Sequence, residues 1–327
     1  MQEHQGGNFS HTEFLLVGFS GLNEHRWLLF FPFCLLFVLS VVANSLLIYI
    51  IKTQRSLHSP MYVLVGAAAF VYLFLTMSFI PRMLLSFLFN WNAISLLECL
   101  VQMFFINFIG TFQTSILLLM AVDRYVAICI PLRYNDYLNT SNCFKFVIVS
   151  LVRNGIFFVV IAFLDGNLSF CNSNVIDHCF CEHMGLVGLA CGSTVLNNIV
   201  GLLIIFCITV LDWMCVLVSY IKIFVSVFLR DSGKSSRKAV HTCTTHIMFL
   251  FLIYICAFVA LLSYRTGNSL SPNIRVLISI LYLLFPSCLH PIIYGFRTKD
   301  IRVHIVKFFQ SQTLARIAVK VSSGTSQ

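Results

Sequence analysis

The stretch DHCFCEH, residues 177–183, places His178, Cys179, Cys181 and His183 close together. Imidazole and thiolate groups at such spacing can ligate zinc or copper, and no other cluster offers as plausible a nucleophile or base. A different chemistry sits at the end of the apolar run LLLMAVDRYVAICIPLRY, residues 117–134, where Asp123 adjoins Arg124 and Pro131 follows. Asp212 and Arg153 are single charges inside apolar stretches, and an unpaired charge at the centre of a bilayer costs about 2.5–3.5 kcal/mol on insertion scales.

The elements that must position these groups follow from composition. Hydrophobic residues make up 59% of the 327 and charged residues only 10%, far from the balance of a soluble domain. A hydrocarbon core of roughly 30 Å takes about 20 apolar residues per helical span. Such windows recur near 27–51, 60–88, 97–129, 144–166, 196–229, 239–263 and 273–296. The expected fold is an all-α membrane protein, a single seven-helix transmembrane bundle. Its parts are an extracellular amino-terminal segment 1–26, the seven-helix domain 27–296, and a cytoplasmic amphipathic helix and tail over 297–327. The first span is retained, because no small-residue cleavage site follows it. Arg153 then lies about 10 residues, or roughly 15 Å at helical rise, from the cytoplasmic end of its span, and Asp212 about 12 from the end of its own. The two charges share a depth, which predicts a buried ion pair.

Orientation comes from the positive-inside rule. Sixteen of the 21 Lys and Arg residues fall on one side, from Lys52 and Arg55 to Arg316 and Lys320; Arg26, Arg82, Arg153, Arg265 and Arg275 fall elsewhere. The amino terminus therefore faces outward, and the net charge of +9 records topology, with no nucleic-acid partner. Cys99, Cys171, Cys179, Cys181 and Cys191 cluster on the outer side, where an oxidising compartment permits bridges; five cysteines leave the pairing open. Asn8-Phe9-Ser10 and Asn167-Leu168-Ser169 are glycosylation sequons on that side, whereas Asn139-Thr140-Ser141 falls inside. A transporter or channel would show inverted repeats, broken helix pairs or a line of ionisable residues along a path; none is present.

The segments MAVDRYVAICIPLRY (120–134), LHSPMY (57–62), IPRML (80–84), SYIKI (219–223), KAVHTCTTH (238–246) and PIIYG (291–295), with Asn44, resemble the odorant receptors among the rhodopsin-like G-protein-coupled receptors. The likeness runs from about residue 9 to 310. SNVIDHCFCEH (173–183), TGNSLSPNIRV (266–276) and Asp212 are similar to the class I, fish-like branch. The resemblance implies a small-molecule odorant and a heterotrimeric G protein of the stimulatory olfactory type as partners, with membrane lipid around the bundle, at the plasma membrane. It implies no enzyme activity and no cofactor. It also implies bridges Cys99–Cys181 and Cys171–Cys191 and a carbohydrate-bearing Asn8. With Cys181 bridged, a metal role for His178, Cys179 and His183 recedes to a sensing site at most.

The same resemblance assigns Asp123, Arg124, Tyr125, Tyr220, His246 and Tyr294 to the cytoplasmic switch. It assigns the ligand to the outer half of the bundle. Class I relatives often recognise short-chain acids, and in some an arginine at the position of Arg265 holds the carboxylate; a guanidinium fork suits a planar anion. Asn107 is the expected second polar contact, with Phe104, Ile106, Gly110, Gly201, Ile205, Phe258, Leu261 and Leu262 as walls. The chain departs from the family where an inner aspartate, glutamate and asparagine are replaced by Tyr72, Gln113 and His290. Without the two carboxylates sodium should not bind there, and a neutral hydrogen-bonded network is expected instead. Cys256 stands where many class I relatives have proline, which puts the usual kink of the sixth helix in doubt.

Overall fold

The computed structural model describes residues 10–171, 173–229, 234–265 and 270–310. Seven of its helices are long and apolar enough to cross a membrane, matching the seven windows. They are α1 (Phe30–Thr53), α2 (Pro60–Phe89), α3 (Leu96–Cys129), α4 (Thr140–Gly166), α5 (Val195–Ile205, a π turn Phe206–Val210, then Leu211–Leu229), α6 (Lys234–Arg265) and α7 (Pro272–Arg297). A further helix, α8, covers 299–310.

Local chemistry sets the ends. Pro60 and Pro272 begin α2 and α7, where a missing N–H costs nothing. Ser95 and Glu98 form a reciprocal capping box on α3, and Asn139 accepts from the Asn142 N–H at 2.8 Å to start α4. Asn90 ends α2 at φ 53°, a left-handed geometry asparagine tolerates. α6 runs unbroken past Cys256 and contains no proline. α8 is tied beneath α1 and α2: the Tyr62 hydroxyl donates to Asp300 at 2.7 Å, Ser56 meets His304 at 3.0 Å, and the Phe308 ring lies 5.7 Å from that of Tyr49.

The outer face carries a small sheet that the hydropathy pattern does not announce. β1 (Glu13–Leu16) is its central strand, antiparallel to β2 (Ala93–Ser95) and parallel to β3 (Val175–Ile176). The amino-terminal segment is thus threaded between two outer loops. Phe14 and Leu16 point down into a buried outer cluster with Ile94, Met103, Phe170, Ile176 and Leu186, and Phe14 meets Phe170 edge to face at 5.2 Å.

Candidate functional site

Two disulfides pin the sheet to the bundle. Cys181 of the long outer loop is bonded to Cys99 at the top of α3, with Cα atoms 5.3 Å apart, and Cys171 is bonded to Cys191. Both pairings agree with expectation, and Cys179 is the free outer thiol. Gln102 Oε1 accepts from the Cys181 N–H at 3.0 Å, which adds a polar tie next to the bridge.

Beneath this lid, α3, α5, α6 and α7 line a half-open cavity of about 1110 Å³. Its roof is Phe180, Glu182, His183 and Met184. His183 is held by Asp165 at the end of α4: Nδ1 lies 2.8 Å from Oδ2, while Asn197 Nδ2 donates to the other carboxylate oxygen at 2.8 Å. Asp165 is fully buried, and these two partners satisfy one oxygen each. A carboxylate facing Nδ1 fixes a proton there. Gly201 serves this residue, because a Cβ on it would stand 2.7 Å from His183 Nε2.

Ile106, Asn107, Gly201, Ile205 and Phe258 line the cavity as expected. Asn107 sends its amide N–H back to Met103 O at 2.8 Å. Three expected wall residues do not line it. Phe104 stacks on Phe108 at 5.5 Å instead, Gly110 borders open space with no atom within 4 Å of a built Cβ, and Leu262 is 43% exposed. Phe104 and Leu262 stand at the right height on the wrong face of their helices, whereas Gly110, between the lining residues Asn107 and Thr111, has no side chain to offer as a wall. The side chains of Leu261 and Arg265 lie outside the described residues, as does Asn8. Glu182, His183, Asn198, Trp213, Tyr254 and Tyr282 also line the cavity; the DHCFCEH stretch was the one sequence signal for the loop members, interpreted there as metal chemistry. His178 is buried against Phe180 at 4.2 Å and near Glu182 at 3.9 Å, whereas His183 goes to Asp165. No three metal-ligating side chains converge among the described residues.

Electrostatics on the outer side follow from burial. Desolvation lowers His178 below the ordinary imidazole range, with Glu182 and a hydrogen bond opposing it. Burial pushes the Cys179 thiol up to about 12, against the pull of Arg26, so it is inert as a nucleophile at neutral pH.

The mid-membrane charges meet. Arg153 Nη1 and Nη2 reach the two oxygens of Asp212 at 2.9 Å each, Nη2 also donates to Ser115 at 3.1 Å, and Nε to Asn154 at 3.1 Å. The bidentate fork answers both charges at once. It ties α3, α4 and α5 together.

At the end of α3 away from the sheet, Arg124 folds back on Asp123, with Nε at 2.8 Å from Oδ2 and Nη2 on the same oxygen. The Tyr134 hydroxyl donates to the other oxygen at 2.7 Å, and burial followed by that bond raises its phenol above the ordinary range. Tyr125 lies under Lys222 at 5.8 Å. Tyr294 and His246 share a hydrogen bond of 2.9 Å. Tyr220 stands near Tyr294 and Arg124 and also lines the inner end of the cavity.

The expected hydrogen-bonded network of Tyr72, Gln113 and His290 is not the one found. Gln113 approaches Tyr72, yet neither of its amide atoms nor either His290 nitrogen has a hydrogen-bond partner of ordinary geometry. His290 is packed by rings: Tyr72 at 5.2 Å, Phe249 at 5.3 Å and Tyr294 at 4.8 Å. The tyrosine that replaces a carboxylate is long enough to pack its ring, tilted by 47°, against the imidazole. Hydrogen bonding moves one layer outward, to Ser40, Thr76, Ser287 and Asn44, with Ser40–Ser287 at 2.5 Å and Asn44 donating to Ser287 O at 2.9 Å.

A family model described as "Olfactory receptor" matches residues 33–312. Among curated proteins, the chain is 38% identical to Olfactory receptor 52K1 of Homo sapiens over 302 residues, 92% of this chain and 96% of that one. It is 38% identical to Olfactory receptor 51E2 of Homo sapiens over 303 residues, covering 93% and 95%, and 39% identical to Olfactory receptor 52K2 of Homo sapiens over 299 residues, covering 91% and 95%.

Proposed function

The chain belongs to the olfactory receptor family, a multi-pass membrane odorant receptor and not an enzyme, and from that premise we propose that it binds its odorant under the disulfide-pinned lid and signals through a stimulatory G protein at the plasma membrane. The observation that carries this is the half-open cavity between α3, α5, α6 and α7, whose roof presents His183 in a fixed orientation. Apolar walls with a few convergent polar groups are what a small-molecule site requires. Ligand contacts are Asn107, His183 and Asn198, with Arg265 at the outer end of α6 as the anchor for a carboxylic acid. The switch is the Asp123–Arg124 pair with the Tyr294–His246 bond, held closed without ligand. A ligand opens it only by binding the open state more tightly.

The test is a cyclic-AMP reporter in cells expressing the intact receptor, challenged with an acid, an amine, an aldehyde and an ester. Acids should activate, and Arg265→Ala should right-shift the acid response about tenfold or more, as expected for a lost charged hydrogen bond. Neutral odorants activating both proteins equally while acids stay inert would reject the carboxylate anchor. An outward amino terminus is checked on the same cells: an amino-terminal epitope must be reachable without permeabilisation and a carboxy-terminal one must not.

A further inference from the structure

α5 and α6 both border the cavity, yet they barely meet. Among the described residues α5 packs on α3 and α4, while α6 packs on α7 and more lightly on α3. Leu202, Ile205 and Leu217 on α5 and Ile247, Phe251 and Phe258 on α6 line the cavity. The same six are between 37% and 67% exposed. A side chain that belongs to the wall and still faces outward marks the edge of an opening. On α6 that edge spans 247–258, which gives a slit about 16 Å long at helical rise. On α5 the π turn Phe206–Val210 adds a residue to the winding, which returns Leu217 to the edge that carries Ile205.

The two ways into the cavity differ in what must move. The roof is held by the Cys99–Cys181 and Cys171–Cys191 bridges, by the sheet beneath which it lies, and by the His183–Asp165 contact. Lifting it would break a hydrogen-bonded assembly under covalent pins. Across the slit, Trp213 and Tyr254 meet edge to face with ring centroids 6.2 Å apart. Rings of this kind turn aside about single bonds, a far smaller rearrangement than unpicking a sheet. None of the eight residues at the slit is charged, so an apolar solute leaving hydrocarbon meets more of the same.

We propose that the odorant reaches the cavity from the bilayer, passing sideways between α5 and α6 at the Trp213–Tyr254 gate while the roof stays shut. This rests on the cavity being the odorant site, and it adds the ligand class: a lipophile that dissolves in the membrane before it binds. A carboxylic acid takes the route in its protonated form, because neither edge of the slit offers a cation. Membrane partition then sets the concentration at the slit, and each added methylene raises it about fourfold. Trp213 and Tyr254 govern how fast the ligand arrives and leaves, a property separate from how tightly the cavity holds it.

The full receptor in lipid bilayer discs is mixed with ethyl esters of increasing acyl length that carry a diazirine and an alkyne. Samples are flashed at intervals, and label is counted on Ile106, Asn107 and Thr111, which line the cavity on α3. At equal aqueous concentration, labelling should proceed about fourfold faster per added methylene. Leu217→Trp, which narrows the slit, should slow arrival and departure alike by about tenfold, as a barrier raised between unchanged end states does. Trp213→Ala should speed both rates together, and Met184→Ala, which thins the roof, should change neither. Rates indifferent to chain length, arrival hastened by Met184→Ala, or slit variants that leave both rates unmoved overturn the portal while the cavity keeps its ligand. Label that never saturates on these three residues rejects the odorant site and the portal together, so the two readings fail in different ways.

Discussion

The residues differ sharply in how far their types disclosed their partners. Arg153 and Asp212 were legible because charge in hydrocarbon demands an answer and helical rise fixes depth. Phe104 and Leu262 were not, since depth along a helix says nothing about which way a side chain points and the sides of each helix are apolar alike. Removing Asp212 alone leaves Arg153 stranded; loss of a buried partner costs about 3–5 kcal/mol, and somewhat less here because Arg153 keeps 30% of its side-chain surface open. Asp212→Ala should therefore sharply reduce surface expression, and the exchange Arg153→Asp with Asp212→Arg should restore part of it. An exchanged receptor no better expressed than either single variant would break the pairing. On the outer loop, His178 is neutral when folded because burial lowers its affinity for protons. The unfolded loop binds more protons below the ordinary value of about 6.5, so the folded loop is stable above that pH and loses stability as pH falls through that range towards the lowered value. Cys179, inert at pH 7, should become accessible to maleimide added after brief acid exposure, and His178→Gln should flatten that pH dependence.

The seven long helices were readable from composition because each must be apolar for some twenty residues to exist in a bilayer. The outer sheet was not readable. Its strands are Glu13–Leu16, Ala93–Ser95 and Val175–Ile176, too short for a period-two signal, and their pairing joins segments distant in sequence, Glu13 to Ser95 and Leu15 to Val175. The amino-terminal segment, which composition presents as a polar leader, supplies the central strand and two fully or nearly buried side chains, Phe14 and Leu16. It therefore acts as a third fastening of the lid beside the two disulfides. Phe14→Ala removes a buried ring worth about 3–5 kcal/mol and should loosen the roof without touching a ligand contact. Odorant potency should fall while the maximal response is kept, with faster hydrogen exchange at 173–183. Unchanged exchange there would mean that the strand is decoration.

At the scale of the whole receptor, the replaced inner triad decides how the two states are balanced. Relatives that keep two carboxylates at the positions of Tyr72 and Gln113 can hold a small cation there; this chain offers a phenol, an amide and an imidazole, of which Gln113 and His290 are buried without a hydrogen-bond partner of ordinary geometry among the described residues. Each orphaned polar group costs about 1–3 kcal/mol in the arrangement with Arg124 folded onto Asp123, and we infer that opening relieves that cost. A closed state burdened in this way, with no cation to stabilise it, raises the fraction of open receptor before any odorant arrives. Basal cyclic AMP should therefore be measurable in the unstimulated receptor and indifferent to replacing external sodium by choline. Tyr72→Asp with Gln113→Glu and His290→Asn restores carboxylate and amide oxygens of the kind a hard cation prefers. It should lower basal signalling and make it fall further as sodium rises. The measurement is basal cyclic AMP per receptor at the surface across a sodium series, for the unaltered chain and the triple variant in parallel. A basal signal in the unaltered chain that already declines with sodium would show that the stacked phenol and imidazole leave room for the ion, and the asymmetry between the two states would then lie elsewhere in the bundle.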